Sequence, residues 1–310
     1  MTSRRQLISR ELSSLAGRLV IADDVADGRY GQVPLRRYSP AADEDARVPL
    51  VWVHGGGFVN GGLDQLESHA VAIAVAAAGR KVVAVDYRRV PMWNVLRPAR
   101  PGVLPGVRYP LPLEDVIDAF ELVRAETVLG RVALGGASAG ACLSAAAALR
   151  LASENRPGPD SLLLAYGIFH AVLPPIDDAL RSRTTGRHAL AQFRPGTVTA
   201  MNRNYAGSAE AMSDRYAFPG GHDVRGLPRT TMVDADRDTL RASGSLFARE
   251  LREAGVQVDY SVVPDAPHGF LDKPARPAFG VAVARLVAAL EDADGPGAGG
   301  ASSTMASATE

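Results

Sequence analysis

The sequence predicts an α/β protein with a mostly parallel central sheet flanked by helices, and three observations predict it. From residue 49 onward, short apolar runs alternate with longer stretches of helical periodicity. Runs such as residues 49–53 and 81–86 are hydrophobic almost throughout, as strands buried on both faces are. A third run, residues 131–135, leads straight into Gly136-Ala137-Ser138-Ala139-Gly140 and an alanine-rich stretch, which reads as a strand turning sharply into a helix.

Taken in order, residues 5–22 carry Leu7, Ile8, Leu12, Leu15, Leu19 and Val20 at helical spacing, so an amphipathic helix is expected to open the chain. A short β segment over residues 32–38 and a polar, acidic loop follow. The first buried strand, 49–53, ends in His54-Gly55-Gly56-Gly57-Phe58. A helix over 64–78 leads to the strand at 81–86, then to an irregular stretch, 87–112, punctuated by prolines. A helix over 113–128 precedes the strand at 131–135. The helix after it stops near residue 153, ahead of Pro157-Gly158-Pro159.

A strand over 161–169 comes next, and then residues 170–222 break into short polar pieces. That is too long for a plain connection in a compact domain, so a partly helical lid or wall is expected there. Order returns with a strand at 229–234, a helix at 242–254 closed by Gly255, a strand at 256–263 and a helix at 279–290. One domain over residues 1–292 accounts for this pattern. Residues 293–310, rich in Gly, Ser and Ala, are expected to form a disordered tail.

Composition narrows the class of function. The chain has 310 residues, 46% of them hydrophobic, enough for a well-filled core. Its formal net charge is zero, which gives no reason to expect a nucleic-acid partner. Cys142 is the only cysteine, so neither an intrachain disulfide nor a cysteine metal cluster can form, and it reads as a small core residue. Residues 1–24 are broken by arginines and lack a signal-peptide core; the longest apolar run, 70–78, is too short to cross a bilayer. A cytoplasmic protein without cofactor, metal or membrane contact is expected. A small-molecule partner is expected, and a homodimer is left open.

The chemistry collects after the strands, where a parallel sheet gathers its functional groups. Ser138 sits at the apex of a G-x-S-x-G turn whose flanking residues must be small, and the turn lifts its hydroxyl clear of the sheet. A serine needs a base, a carboxylate to orient that base, and donors for the oxyanion. Three successive glycines after His54 let backbone N–H groups point at a substrate. His268, on a short loop after the last strand, is the histidine placed to act as base. Asp234, Asp236 and Asp238 all follow the strand at 229–234, and spacing alone does not choose among them.

His54-Gly55-Gly56-Gly57-Phe58, Asp86-Tyr87-Arg88, Gly136-Ala137-Ser138-Ala139-Gly140, Asp238-Thr239-Leu240-Arg241 and His268-Gly269-Phe270 together resemble the hormone-sensitive-lipase-type esterases of the α/β-hydrolase fold. The resemblance runs from about residue 49 to 290. It implies a serine carboxylesterase acting on short- to medium-chain esters through an acyl-enzyme on Ser138. Its acid opens a D-x-L-R stretch, which picks Asp238, with His268 as base. It implies an oxyanion hole from the N–H groups of Gly56, Gly57 and Ala139, and a helical cap from residues 1–25 and 170–222. Here Tyr87-Arg88 continues as Arg89-Val90-Pro91-Met92-Trp93, where the family usually has Leu-Ala-Pro-Glu, and an insertion extends to Tyr109. A pocket mouth of its own is therefore expected, with Phe58 and Trp93 beside it favouring short acyl chains. A catalytically silent ligand-binding relative, and an acyltransferase or lyase using the same pocket, are the alternatives.

Overall fold

A computed structural model describes residues 12–41, 47–92 and 104–295. Eight strands join in one sheet: β1 (Leu19–Gly28), β2 (Gly31–Pro40), β3 (Leu50–Val53), β4 (Val82–Val85), β5 (Ala133–Ala137), β6 (Ser161–Ala165), β7 (Thr230–Arg237) and β8 (Val258–Pro267). Their order across the sheet is β1-β2-β4-β3-β5-β6-β7-β8. The hairpin β1–β2 is antiparallel, as is β2 against β4; every pairing from β4 to β8 is parallel.

Helices cover both faces, which explains why the central strands read as unbroken apolar runs. Along β3, Val51 and Val53 enter one core with Leu134, Leu164, Phe120, Leu143 and Phe247. Their neighbours Leu50 and Trp52 enter the opposite core with Val82, Ala84, Leu163, Ile73 and Leu286. Alternate side chains of one strand thus fill different cores, and neither set can be polar. The first core packs under α2 (Leu111–Glu126), α3 (Ala139–Ser153) and α6 (Arg241–Glu253); the second packs under α1 (Leu66–Ala77) and α7 (Pro277–Asp294).

The structure corrects the opening element. Only residues 12–16 of the expected helix over 5–22 are helical among the described residues, and Leu19 and Val20 begin β1. Gly17 and Arg18 close back onto Ser13 and Leu15, which ends the helical turn. Beyond them the side chains alternate instead: Val20 is 62% exposed while Ala26 is buried. The hairpin turns tightly enough for Gly28 to pair with Gly31, whose φ of 114° suits a glycine. Long-range pairing with β2 therefore overrides a local helical period, and residues 19–25 belong to the sheet rather than to a helical cap. Residues 1–11 and 296–310, covering the rest of that helix and most of the expected tail, lie outside the described residues.

Other boundaries shift as well, β6 ending at Ala165 rather than at residue 169. Helix α7 continues to Asp294, past the expected start of the tail, because the Asp294 carboxylate pairs with buried Arg80 and accepts the Val48 N–H at 3.0 Å. Strands β7 and β8 run on to Arg237 and Pro267, with a bulge between Ala235 and Arg237. Residues 170–222 hold α4 (Asp178–Thr184), α5 (Pro195–Ala206) and short 3-10 turns at Gly186–Ala191 and Ala211–Ser213. Helix α5 lies over the first glycine turn, where its Tyr205 stacks on Phe58 at 4.0 Å.

Candidate active site

The site is built from the C-terminal ends of β3, β5, β7 and β8. Ser138 stands between β5 and α3 with φ 53° and ψ −115°, a backbone conformation that costs on the order of 1–3 kcal/mol and must be held by its surroundings. Its N–H donates to the Ala165 carbonyl at 2.8 Å. The neighbours show why small residues flank it. A Cβ on Gly136 would lie 2.6 Å from the Val53 carbonyl oxygen, and one on Gly140 would lie 2.1 Å from the same atom. The elbow is pressed directly against the end of β3.

Three side chains meet there. Ser138 Oγ lies 3.0 Å from His268 Nε2, and His268 Nδ1 lies 2.6 Å from Asp238 Oδ2. A carboxylate can only accept, so Nδ1 carries the proton and Nε2 is left to accept from the serine hydroxyl. Asp238 is 1% exposed, and its other oxygen accepts the Leu240 N–H at 2.9 Å. The His268 side chain keeps 17% exposure, with Tyr166 and Phe193 edge-on to it at 4.9 and 4.8 Å. Burial pushes the His268 imidazole down, but the charge and hydrogen bond of Asp238 outweigh it, helped by Glu67, and the net shift is upward from 6.5.

The three neighbouring aspartates are sorted by their partners. Asp236 accepts from Arg183 and Arg241 and from the Asp265 N–H, so it is occupied on the flank of the site. Asp234 is buried against α6 and accepts from Tyr260 at 3.0 Å; burial pushes its carboxyl up to about 7. Only Asp238, the first residue beyond β7, faces the imidazole.

The glycine turn sits opposite. His54 is fully buried, stacks on Tyr87 at 4.4 Å and donates from Nδ1 to the Gly55 carbonyl at 2.7 Å. Gly56 and Gly57 have φ of 106° and 60°, open to glycine and strained for other residues. Ala139 opens α3, where a helix has N–H groups without intrahelical acceptors. The Asp86-Tyr87-Arg88 stretch fastens this turn: Tyr87 stacks on His54, and Arg88 forks onto buried Asp115 of α2. Phe58, expected at the pocket mouth, is instead fully buried beneath Tyr205, and Trp93 lies outside the described residues. A Cβ on Gly57 would lie 2.9 Å from Met201 Sδ, so the thioether is what α5 presents to the turn. Cys142 is buried one turn into α3, and burial pushes its thiol well up.

Sequence reasoning missed Glu67, Tyr166, Phe193 and Met201. Of these only Glu67 left a local mark: a carboxylate in the first turn of a helix whose later residues are almost all apolar must find donors. Among the described residues no group of His, Cys, Asp or Glu is arranged to hold a metal ion, and no helix is long and apolar enough to cross a membrane.

Comparison with known proteins agrees with this fold. Over residues 50–100 and 103–272 the chain matches the family described as having the alpha/beta hydrolase fold. The carboxylesterase NlhH of Mycobacterium tuberculosis is 32% identical over 269 residues, covering 84% of this chain and 78% of that one. An ethyl acetate hydrolase of Pseudomonas putida is 29% identical over 248 residues, covering 77% and 71%. Among solved structures, an esterase of Pyrobaculum calidifontis superposes with a TM-score of 0.75 at 26% identity, covering 93% of this chain and 91% of the other. With the family match, the carboxylesterase relative and the observed sheet in agreement, the chain belongs to the α/β-hydrolase fold family.

Proposed function

We propose that this protein hydrolyses carboxylic esters with short to medium acyl groups through an acyl-enzyme on Ser138. The family and its esterase relatives support carboxylic ester hydrolysis. The observation that carries the residue assignment is the hydrogen-bond chain from Ser138 Oγ through His268 to Asp238, at 3.0 and 2.6 Å. Residues 170–222 serve as its cap, a small-molecule ester is its partner, and no cofactor takes part. The reading includes a cytoplasmic location, which the lone buried cysteine suits.

In the proposed reaction His268 Nε2 takes the hydroxyl proton as Ser138 Oγ attacks the ester carbonyl. The N–H groups of Gly56, Gly57 and Ala139 receive the negative charge on the carbonyl oxygen, each worth about 3 kcal/mol of barrier. His268 then returns the proton to the leaving alcohol, and water repeats the sequence to release the acid. Asp238 holds the imidazole tautomer and stabilises its charged form.

The short-acyl preference is supported by Met201 beside Gly57 and Phe193 against His268, which narrow the approach from the cap side. It also accords with the ethyl acetate hydrolase among the relatives. Rates across p-nitrophenyl esters from acetate to decanoate test it: the maximum is expected at acetate to hexanoate, and a maximum at decanoate contradicts the acyl assignment. In the same series Ser138→Ala is expected to lose about 10⁶ in kcat. Full activity in that variant would remove the mechanism.

A further inference from the structure

Between the glycine turn and the imidazole lies a carboxylate that no step above uses. Glu67, in the first turn of α1, is 2% exposed. Its Oε2 accepts the Gly55 N–H at 2.9 Å, and its Oε1 accepts the Tyr166 hydroxyl at 2.6 Å. The Gln65 amide adds a longer bond to Oε2 at 3.3 Å. Its backbone is also engaged: the N–H donates to Asp272 Oδ1 at 2.8 Å and the carbonyl accepts Trp52 Nε1 at 2.9 Å.

The two side-chain bonds reach opposite halves of the site. Gly55 immediately precedes the two glycines proposed to form the oxyanion hole, and a Cβ on it would lie 2.4 Å from Glu67 Oε2. Tyr166 follows β6 with a φ of 36°, strained for a residue with a Cβ, and its ring stands edge-on to both His268 and Phe270 at 4.9 Å. Asp272, two residues beyond Phe270, closes the loop by holding the Glu67 and Gln65 side of α1. A carboxylate buried this deeply is costly unless donors converge on it, and an apolar residue would fill the space without that cost. What the carboxylate adds is a pair of aimed acceptors.

We infer that Glu67 is a positioning residue that couples the oxyanion turn to the base, fixing the Gly56 and Gly57 N–H groups relative to Ser138 and His268 through Gly55 and Tyr166. The inference rests on the reading of those groups as the reacting ones. Because a misplacement of about 1 Å can cost on the order of 10²-fold in rate, the effect is expected in kcat rather than in ground-state binding.

The test compares Glu67→Ala, Glu67→Gln and Tyr166→Phe in the full chain on p-nitrophenyl acetate. Rates are expressed per active serine, titrated with a stoichiometric organophosphate, and melting temperature is measured alongside. Glu67→Ala is expected to lower kcat per titrated site by about 10²-fold, with KM within about threefold. Glu67→Gln is expected to keep kcat within about fivefold of the parent, since an amide can accept from Gly55 and donate to the Tyr166 oxygen. Tyr166→Phe is expected to fall between them, at about tenfold.

A purely structural role predicts a different result: a lower melting temperature and fewer titratable serines, with kcat per titrated site unchanged. That outcome overturns the inference, as does a rise in KM at constant kcat. Should Glu67→Ala fail to fold, Tyr166→Phe decides, and an unchanged kcat in that variant overturns the coupling. The parent protein separates this from the broader reading. If it hydrolyses the ester without a titratable serine, the acyl-enzyme has failed and the coupling falls with it.

Discussion

The two sides of the site are made of different materials. On the glycine side, position is set by backbone and close packing: His54 is sealed against Tyr87, and a Cβ on Gly61 would lie 2.1 Å from the His54 ring. On the acid–base side, position is set by side-chain hydrogen bonds and by ion pairs around it, where Arg183 of α4 joins Asp236 to Asp265. On the first side there is no room for added atoms at Gly55, Gly56 or Gly61. The second depends on charge. A packed backbone site fails by distortion, whereas a hydrogen-bonded one fails by loss of the right protonation state.

The sharpest way to break the comparison uses two aspartates two residues apart. Asp238→Asn keeps the shape of the acid–base side but removes the carboxylate that fixes the tautomer, and kcat is expected to fall by about 10⁴. Asp236→Asn, which disturbs the ion pairs to Arg183 and Arg241 and the bond from the Asp265 N–H but leaves the imidazole's partner in place, is expected to stay within about tenfold at low salt. Equal losses in steady-state kinetics would mean that the acid has been misassigned.

On the glycine side, Gly57→Ala places a methyl group at a φ of 60° against Met201 Sδ. The expected loss is about 10²-fold in kcat, the scale of one oxyanion donor. Adding Met201→Ala makes room for the methyl group but leaves the backbone strain, so it is expected to recover only part of the loss. Complete recovery would show that packing, not the backbone, sets this side.

The pH dependence comes next in size. His268 must be neutral to accept a proton, and Asp238 holds its pKa above 6.5, so activity is lost as pH falls through that raised value. The acid limb of kcat/KM is therefore expected above pH 6.5. Gly57→Ala is expected to lower the plateau without moving that limb, since it leaves the charges around the imidazole intact. A limb that moved with the glycine variant would blur the distinction between the two sides.

The smallest effect concerns stability. Asp234 has a folded pKa pushed up to about 7, so the stabilising contribution of its neutral form is complete below the unfolded carboxylate range and is lost as pH rises through about 7. Asp234→Asn removes that titration, and its melting temperature is expected to gain on the parent's by a few degrees, roughly, between pH 5 and 8. A constant difference across that range would contradict it.

Much of this arrangement was legible in the sequence, because its demands are local. A strand buried on both faces must be apolar at every position, and the elbow tolerates only small residues where Gly136 and Gly140 meet β3. His268 was marked by falling just after a strand. The proposed acid was not marked by spacing, since β7 runs three residues further than its apolar pattern and carries Asp236 with it. The family's D-x-L-R register was needed to choose Asp238. What left no mark was contact made at long range. Strand β1 exists because β2 pairs with it, and Tyr166 matters because it meets Glu67, 99 residues away in the chain. Phe58 was misplaced for the same reason, because its cover, Tyr205, comes from a distant helix.

The most direct measurement of the central claim is the intact mass of the protein after exposure to a fluorophosphonate, followed by mapping of the modified peptide. One adduct per chain, at Ser138, with ester hydrolysis lost in proportion and labelling abolished in Ser138→Ala and strongly slowed in His268→Ala, is the predicted result. Hydrolysis that persists in the fully labelled protein, or an adduct on another residue that accounts for the inhibition, contradicts it.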